Sequence, residues 1–585
     1  MRISELKNLV ILTVFSFSSI ASAQAELDEN IIHISDLVIE NGTIYTVNEA
    51  QPTANFIAVK DDRIIYVGNN RENIRTDSAT RLIDLQGKTL TPGFIEGHGH
   101  IFSIGYSENE IDLKDISSYE GMVNNVHKGV AKAEPGEWVM SSGWHQEKWF
   151  GLPEDAVQGF PTHYKLSKIS PNNPVALVHS SGHAALVNSK ALETAGITKE
   201  TVSSLNRQLK EEEGGEIIVD DRGNPTGILI EGAIDLVATH VPEGNETQNR
   251  RKHEEAFLAA QKKSLKNGIT GFHHAGAYRE DIEVLEKIKE KGQLDIRLYL
   301  MLAGGDKEQL KEWYKKGPQI DHNTHWLDIR AIKLWCDGAL GSRGAWLLEP
   351  YSDRSGHLGH ATIEMDFLEE TAKKGIEHGF QVCSHAIGDR ANREVLNIYQ
   401  KTFEAYPELS RDHRFRIEHA QHLHPEDIDR FADLNVLASM QGIHLASDRP
   451  WAIDRLGEER IREGAYVWQK LMESGARIIN GTDAPVETVD PLANFYASVS
   501  RKTLKGTPEG GYEPNQKMTR LQALKSYTIN PAYGSFMEDD KGTIEVGKLA
   551  DFTVFYKDIM TIPEEEILNT VVEMTIVGGE IKYKK

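Results

Sequence analysis

The stretch T-P-G-F-I-E-G-H-G-H, residues 91–100, decides how the rest of the chain is interpreted. Phe94 and Ile95 are apolar and typical of a buried strand. His98 and His100 are two residues apart, so a strand places both imidazoles on the same face. Two imidazoles at the end of a strand form half of a metal site, whereas the same H-x-H in a surface loop would have no such role. The remaining sequence has to separate these interpretations.

From about residue 249 onward, helical and strand-like segments alternate. After Phe94, strand-like segments lie near 268–274, 294–301, 329–334, 380–384, 415–418, 436–440 and 477–480. Strands separated by helices indicate parallel β/α units. Counted from Phe94 there are about eight such strands, which predicts an α/β fold with a closed (β/α)8 barrel of the TIM type over residues 92–540.

Both ends of the mature chain have a different pattern. Short strands with glycine or Asn-Gly turns fill residues 31–91 and again residues 541–585. Two β-rich ends that enclose a long α/β region are predicted to pair into one composite β-sandwich domain. Residues 105–243 are turn-rich and irregular, which predicts a large insertion after the first barrel strand, beside the mouth of the barrel.

Composition and the N-terminus restrict the functional class. The 585-residue chain has a formal net charge of −23, which disfavours a nucleic-acid partner. Residues 1–23 combine a positive start, an apolar core and the small-residue pattern Ala21-Ser22-Ala23. This layout predicts a signal peptide cleaved after Ala23 and an exported, periplasmic protein, with an ordinary N-terminal helix as the alternative. No later apolar run approaches the roughly 20 residues of a membrane span. A small-molecule substrate is the expected partner, and a homodimer is one option for assembly.

The chain has two cysteines, Cys336 and Cys383, both in apolar strand-like contexts. We predict buried free thiols, although export would permit a disulfide.

Active sites of β/α barrels lie at the carboxyl ends of the strands. In this chain those ends carry His98, His100, Lys333, His385, His419 and Asp483. Imidazole and carboxylate ligands without thiolates favour one or two divalent cations, zinc first, with manganese, iron or nickel as alternatives. A free ammonium cannot ligate a cation, so Lys333 serves only if it is carboxylated or neutral, and it is otherwise a salt-bridged barrel lysine.

An ordered set of motifs spans nearly all of the mature chain. The motifs are T-P-G-F-I-E-G-H-G-H (91–100), S-S-G-H-A-A-L-V-N-S-K-A-L (180–192), I-K-L-W-C-D-G-A-L-G-S-R (332–343), S-H-A-I-G-D-R-A (384–391), I-E-H-A-Q (417–421), M-Q-G-I-H-L-A-S-D (440–448) and G-T-D-A-P-V (481–486). This set resembles the amidohydrolase superfamily, and within it the amidohydrolase 3 or YtcJ-like group that includes the N-substituted formamide deformylases.

The resemblance implies the same barrel, the composite β-domain and a divalent metal centre. Its implied ligands are His98, His100 and Asp483 for a first metal, His385 and His419 for a second, and a carboxylated Lys333 as the bridge. Hydroxide formed from a metal-activated water would then attack a carbonyl carbon. Asp483 is the candidate catalytic residue, which passes the water proton to the leaving amine.

Four other residues are candidates for binding the substrate, and each has a structural alternative: His183, Arg343, Gln441 and His444. His145 and His274 replace acidic or amide residues that are common in relatives, and we expect both near the mouth.

The predicted function is hydrolysis of a carbon–nitrogen bond other than a peptide bond, in an amide or an N-substituted formamide. The same hydroxide would serve a cyclic amidase, a deaminase or an esterase. A periplasmic binding protein that retains the fold without turnover is the alternative from another class. The complete ligand set argues against it, because a binding protein has no need of Asp483.

Overall fold

The computed structural model describes residues 34–585, except 109–110, 112, 114–115, 213 and 243–245. The predicted signal peptide lies outside these residues. The strands, numbered along the chain, are β1 Leu37–Glu40, β2 Thr43–Tyr45, β3 Thr53–Ala54, β4 Phe56–Lys60, β5 Arg63–Gly68, β6 Arg81–Asp84, β7 Thr89–Pro92, β8 Phe94–Gly99, β9 Val139–Trp144, β10 Val175–His179, β11 Ala184–Val187, β12 Gly215–Val219, β13 Pro225–Glu231, β14 Ile269–Ala277, β15 Arg297–Ala303, β16 Leu327–Trp335, β17 Gln381–Ala386, β18 Arg416–His419, β19 Leu437–Met440, β20 Ile478–Asn480, β21 Phe552–Phe555, β22 Val572–Val577 and β23 Glu580–Lys584.

The α-helices separate these strands. They are Ile101–Ser107, Tyr119–Val130, Tyr164–Ile169, Ser189–Thr194, Val202–Glu212, Asp235–Ala238, Glu246–Lys266, Arg279–Glu290, Lys307–Lys316, Met365–His378, Asp389–Ala405, Ile428–Asp433, Gly442–Gly464, Trp468–Ser474, Pro491–Ser500, Arg520–Tyr527, Ile529–Gly534 and Glu564–Ile567. Across the described ranges, none of them is both long enough and apolar enough to span a membrane.

Eight parallel strands form the barrel. Their order is β20-β19-β18-β17-β16-β15-β14-β8, so each strand lies beside the next one along the chain after the insertion. At the remaining gap, the backbone amide of Asp483 donates to the carbonyl of His98 (2.8 Å). The buried carboxylate of Glu96 accepts hydrogen bonds from the amide (2.6 Å) and hydroxyl (3.1 Å) of Thr482. These contacts bring the last strand against the first, and the predicted fold class is confirmed.

A glycine permits this close approach. A Cβ atom on Gly481 would lie 2.6 Å from both Glu96 Oε1 and the backbone nitrogen of His98. No side chain tolerates such contacts, so the last strand can approach the histidine-bearing strand only because residue 481 has none.

Strands from the two chain ends share one sheet. Its order is β23-β22-β21-β7-β2-β3, with β21 antiparallel to β7 and Val554 paired with Leu90. A second sheet, β5-β4-β1-β6, contributes Leu37 and Ile57 to a core that also contains Leu90 and Val554. The ends therefore form the composite β-sandwich expected from their turn pattern.

The insertion is more regular than its sequence suggested. It contains a five-stranded sheet in the order β12-β13-β11-β10-β9, in which β9 and β10 are parallel and the other neighbours antiparallel. Leu177 and Leu186 pack into one core, whereas Ala176 and Val187 pack into another. Because both faces of the central strands β10, β11 and β13 are covered, their sequences have no polar–apolar alternation to reveal them.

A buried ion pair joins the barrel to the β-sandwich. Arg297 Nε lies 2.7 Å from Asp551 Oδ2, and the two side chains are 1% and 5% exposed. Asp551 also accepts a hydrogen bond from the amide of Gly578 (2.8 Å). Asp551→Asn leaves a buried guanidinium without its counter-charge, so we expect the free energy of unfolding to fall by about 3–5 kcal/mol. Urea titration followed by circular dichroism measures this.

The control is Glu255→Gln, which removes the exposed ion pair with Arg251. We expect that change to lower the free energy of unfolding by less than about 1 kcal/mol. Equal losses in the two variants would show that the Arg297–Asp551 pair does not couple the domains.

Candidate metal centre

The structure brings the six predicted ligands to one end of the barrel. They are His98 in β8, His100 after it, Lys333 in β16, His385 in β17, His419 at the end of β18 and Asp483 after β20. All except His98 line a single cavity, and His98 is fully buried beside them. Parallel strands present their carboxyl ends at the same rim, which is why residues far apart in sequence meet here.

His98, His100 and Asp483 form the tightest group. Asp483 Oδ1 lies 3.1 Å from His100 Nε2 and 3.5 Å from His98 Nε2. One ligand atom from each of the three residues can be chosen so that all lie within 4.8 Å of one another. The buried Nε2 of His98 and Oδ1 of Asp483 have no hydrogen-bond partner among the described residues. Unpartnered nitrogen and oxygen donors that converge in this way fit a divalent cation.

The tautomer of His98 is set by Glu418. His98 Nδ1 donates to Glu418 Oε2 (2.5 Å), so Nε2 keeps its lone pair and faces Asp483. Burial alone would raise the pKa of Glu418, but Arg416 (2.7 Å) and His98 together hold it far below its ordinary value. Glu418 therefore stays ionised as an acceptor. The sequence analysis missed this residue, although its place beside His419 in the I-E-H-A-Q motif was a signal.

We expect Glu418→Gln to weaken metal binding by about 10–100-fold, because a neutral amide no longer fixes the His98 tautomer. Competition with a metallochromic chelator measures the affinity. Since Arg416 loses its buried partner in the same variant, thermal unfolding of the metal-free protein is measured alongside. An unchanged affinity in a folded variant would contradict the positioning role.

His385 and His419 form the other side of the group. Their ring centroids are 4.5 Å apart, and that of His419 lies 5.0 Å from that of His98. Burial lowers the pKa of both His385 and His419 well below the ordinary value, so both rings are neutral and retain a lone pair. The Nδ1 of His419 donates to Gln441 Oε1 (2.8 Å), which leaves its Nε2 as the available ligand atom.

Lys333 is also buried in this group. Burial lowers the pKa of its ammonium to about 8, although Glu418 and Asp483 act in the opposite direction. The neutral amine is therefore far more populated near neutral pH than in an exposed lysine.

The ends of two barrel strands have strained backbone. His419 has φ = 74° and Asp483 has φ = 56°, both in the left-handed region that side chains with a Cβ disfavour. Such conformations cost on the order of 1–3 kcal/mol and persist where surrounding contacts enforce them. Here each turn directs a candidate ligand side chain toward the group formed by His98, His100 and His385.

The cavity at this end has a volume of about 490 Å³. His183 and His444, two of the four candidate substrate-binding residues, line it. His183 Nδ1 donates to Glu231 Oε2 (3.0 Å), and although burial works to lower it, this carboxylate raises the pKa of His183 overall. The insertion thus supplies a donor to the mouth of the barrel.

Two more imidazoles from the insertion face the same cavity. His145 and His179 both line it, with ring centroids 4.4 Å apart. Burial lowers the pKa of His179 to about 3 and that of His145 well below its ordinary value, so both are neutral. His145 lies near the mouth of the barrel, as expected from the sequence. His274 does not line the cavity, although its ring lies 6.4 Å from that of His100.

Arg343 and Gln441 are not placed as substrate contacts. Arg343 is held by Asp353 (2.9 Å) and lines a different cavity, between the insertion and the loop that follows β16. Gln441 lies behind His419 as its hydrogen-bond partner and does not line the mouth. Both corrections have the same cause, because a closer partner already holds the side chain.

The sequence analysis also missed Asp337. Its carboxylate accepts hydrogen bonds from the amides of Ile387 (3.0 Å), Gly388 (2.8 Å) and Trp346 (2.8 Å), and it lies 3.4 Å from His385 Nε2. Asp337 therefore fixes the loop beside His385.

Cys336 and Cys383 are buried and not bonded to each other, as predicted. Burial raises the pKa of both thiols well above the ordinary value. The candidate ligands are therefore nitrogen and oxygen atoms rather than thiolates.

Comparison with known proteins agrees with this geometry. YtcJ of Bacillus subtilis is 31% identical over 93% of this chain and 98% of its own length. N-substituted formamide deformylase of Arthrobacter pascens is 27% identical over 94% of this chain and 98% of its own. The crystal structure of an uncharacterized metal-dependent hydrolase from Pyrococcus horikoshii superposes with a TM-score of 0.69 at 25% identity, covering 90% of this chain and 99% of the other. A sequence model of the amidohydrolase family matches residues 81–583. This match covers most of the chain, and the protein therefore belongs to the amidohydrolase family.

Proposed function

We propose that this protein hydrolyses a carbon–nitrogen bond other than a peptide bond, in an amide or an N-substituted formamide. The observation that carries the proposal is the convergence of His98, His100 and Asp483 beside a cavity of about 490 Å³. Membership of the amidohydrolase family supports a hydrolase. The name of the Arthrobacter pascens relative supports the choice of bond.

The donor set supports one or two zinc ions. In this proposal His98, His100 and Asp483 hold the first, and His385, His419 and Lys333 complete the second. A divalent cation bound there would polarise a substrate carbonyl and lower the pKa of a water. The residues of the chain supply the positioning and proton transfer that follow.

Lys333 is proposed as a carboxylated ligand. Only the neutral amine reacts with carbon dioxide, and burial lowers the pKa of Lys333 to about 8. The product is an anionic carbamate, whose oxygens can ligate a cation where an ammonium cannot.

Asp483 is proposed as the proton carrier. Hydrolysis forms a bond between the water oxygen and the carbonyl carbon, and the carbon–nitrogen bond breaks as the nitrogen takes up a proton. Burial would raise the pKa of Asp483, but the imidazole of His100, 3.1 Å from Oδ1, and the neighbouring imidazoles of His98 and His419 hold it well below the ordinary value. The ionised carboxylate accepts the water proton and returns it to the leaving amine.

His183 is proposed to bind the substrate carbonyl oxygen. Its Nδ1 is committed to Glu231, so its other ring nitrogen is the one available to the substrate. A fixed donor at this position stabilises the negative charge that develops on the oxygen during attack. His444 is the second candidate donor on the cavity wall.

The test combines elemental analysis of the purified protein with amine release from a panel of amides and N-substituted formamides. We expect stoichiometric zinc, and amine release that stops on chelation and returns when zinc and bicarbonate are added. Absence of metal and of turnover after this reconstitution would overturn the proposal. Release of ammonia from an aminated ring, or turnover of esters alone, would instead identify a deaminase or an esterase.

Export to the periplasm belongs to the same proposal, with cleavage after Ala23. N-terminal sequencing of protein from an osmotic-shock fraction tests it, and an intact N-terminus in the cytosolic fraction would contradict it. Light scattering on the same preparation separates a monomer from the homodimer.

A further inference from the structure

One wall of the cavity is built by a single helix face. His444, Asp448 and Trp451 lie in the helix Gly442–Gly464 at spacings of four and three residues, which places them on one side. All three line the cavity, as does Glu487 from the loop after β20. We call these four residues the acidic wall. The function proposed above assigns no role to Asp448, Trp451 or Glu487.

Asp448 is held by neutral groups. Its Oδ2 accepts hydrogen bonds from Gln421 Nε2 (3.2 Å) and the hydroxyl of Tyr466 (3.3 Å). Its Oδ1 lies 3.3 Å from the hydroxyl of Ser447. Within the described part of the chain, Asp448 forms no ion pair with a lysine or arginine. A carboxylate that is oriented by neutral donors keeps its charge uncompensated, and burial accordingly raises the pKa of Asp448.

The other charges on this wall do not neutralise it. Lys148, which also acts on Asp448, lies 3.1 Å from Glu487 Oε1 and forms an ion pair with it. Two carboxylates therefore face one ammonium, and the wall is net negative whenever the imidazole of His444, which also acts on both carboxylates, is neutral. A cleft with low-dielectric walls concentrates such a field at its mouth.

A second feature of the wall points to a ligand. His444 is only 7% exposed, and its Nε2 has no hydrogen-bond partner among the described residues although the side chain lines the cavity. A buried polar atom without a partner is rare in folded proteins unless something binds there. The indole of Trp451, on the same helix face, already attracts one cation, since the guanidinium of Arg455 lies 5.6 Å from its ring centroid.

We propose that the acidic wall binds a cationic group of the substrate, an ammonium or guanidinium carried away from the scissile bond. This inference rests on the function proposed above, because it names the class of substrate that the same cavity takes. Asp448 is the residue that determines the preference, Trp451 adds a cation–π contact, and His444 supplies a polar contact beside them. A neutral substrate of equal size would leave Asp448 buried without a counter-charge.

Two pairs of matched probes test the proposal. The first pair is 4-(trimethylammonio)benzyl alcohol and 4-tert-butylbenzyl alcohol, which have nearly the same shape, differ by one charge and contain no amide. Isothermal titration calorimetry on the metal-loaded protein gives their Kd values without any turnover. The second pair is the corresponding N-benzylformamides, for which kcat/KM is measured. We expect the cationic member of each pair to be favoured by on the order of 10–100-fold, because the quaternary ammonium has no N–H to donate and gains its affinity from the charge of Asp448 and the ring of Trp451.

Asp448→Asn is expected to reduce this preference to about one. The matched control is Asp454→Asn, which removes the same charge from an exposed position of the same helix. We expect that control to keep the wild-type preference, because an exposed charge at this distance is screened by salt.

Each outcome decides the proposal. Equal Kd values for the two alcohols in the wild-type protein would overturn it, whatever happens to the variant. A cation preference that survives Asp448→Asn, or that is lost equally in Asp454→Asn, would remove Asp448 as its cause. One outcome is that the cation preference between the two alcohols depends on Asp448 while neither formamide is hydrolysed. In that case the proposed function fails and the cation site stands. If both formamides are hydrolysed at equal rates, the proposed function stands while the cation site fails.

Discussion

Asp483→Asn is expected to lower kcat by about 10³- to 10⁴-fold, because an amide cannot accept the proton of the attacking water. The change keeps the size of a side chain that is 7% exposed. It also suits the backbone, since Asn tolerates the left-handed conformation that Asp483 adopts at φ = 56°. The loss of turnover is therefore expected without loss of the fold. Amine release at saturating substrate, together with the far-UV circular dichroism spectrum, measures both.

The control for this variant is Asp433→Asn, which makes the same chemical change at an exposed position. It should retain wild-type turnover. Metal content is determined for both proteins, because Asp483 is also a proposed ligand. Near-normal turnover in Asp483→Asn would remove the residue from proton transfer. A loss of turnover that is fully restored by excess zinc would restrict Asp483 to metal binding.

His98→Ala is expected to lose the metal of the first site, with a decrease in zinc content of about one equivalent after dialysis. His98 Nε2 is one of three atoms that converge there. Zinc has few other ligand atoms available once this imidazole is removed. Activity should fall together with the metal. Inductively coupled plasma mass spectrometry measures the zinc, and His322→Ala, which removes an exposed imidazole, is the control.

Folding has to be checked in this variant, because His98 is fully buried and bonded to Glu418. His98→Gln fills more of the volume and is measured beside the alanine variant. Wild-type zinc content in either folded variant would show that the assignment of the first site is wrong. Loss of zinc in His322→Ala as well would show that the method reports adventitious surface binding.

The barrel and the convergence of the candidate ligands were predictable because they depend on local pattern. Alternation of helix and strand implies parallel strands, and parallel strands place their carboxyl ends on one rim. His385, His419 and Asp483 each follow or end such a strand, so their convergence needed no knowledge of side-chain contacts. The composite sandwich was predictable for a similar reason, since β-hairpins are encoded by short turns.

The sequence predicted the bounds of the insertion but not the strands inside it. Its central strands β10, β11 and β13 are buried on both faces, so the polar–apolar alternation of a half-exposed strand does not appear in their sequences. His145 and His179 come from the carboxyl side of β9 and from the end of β10, two parallel strands of a sheet that the sequence did not reveal. Their shared position at the mouth follows from that pairing.

The sequence by itself determined the barrel, the rim on which the site lies and the residue types that can ligate a cation there. The tertiary structure decided which nitrogen of His98 is free, that Gln441 serves His419 and that Arg343 is held by Asp353. It also decided that Asp448 faces the cavity without an ion pair to a lysine or arginine among the described residues. The reason is physical: strand periodicity is a property of neighbours in the chain, whereas tautomers, ion pairs and uncompensated charges depend on contacts between residues that can be hundreds of positions apart.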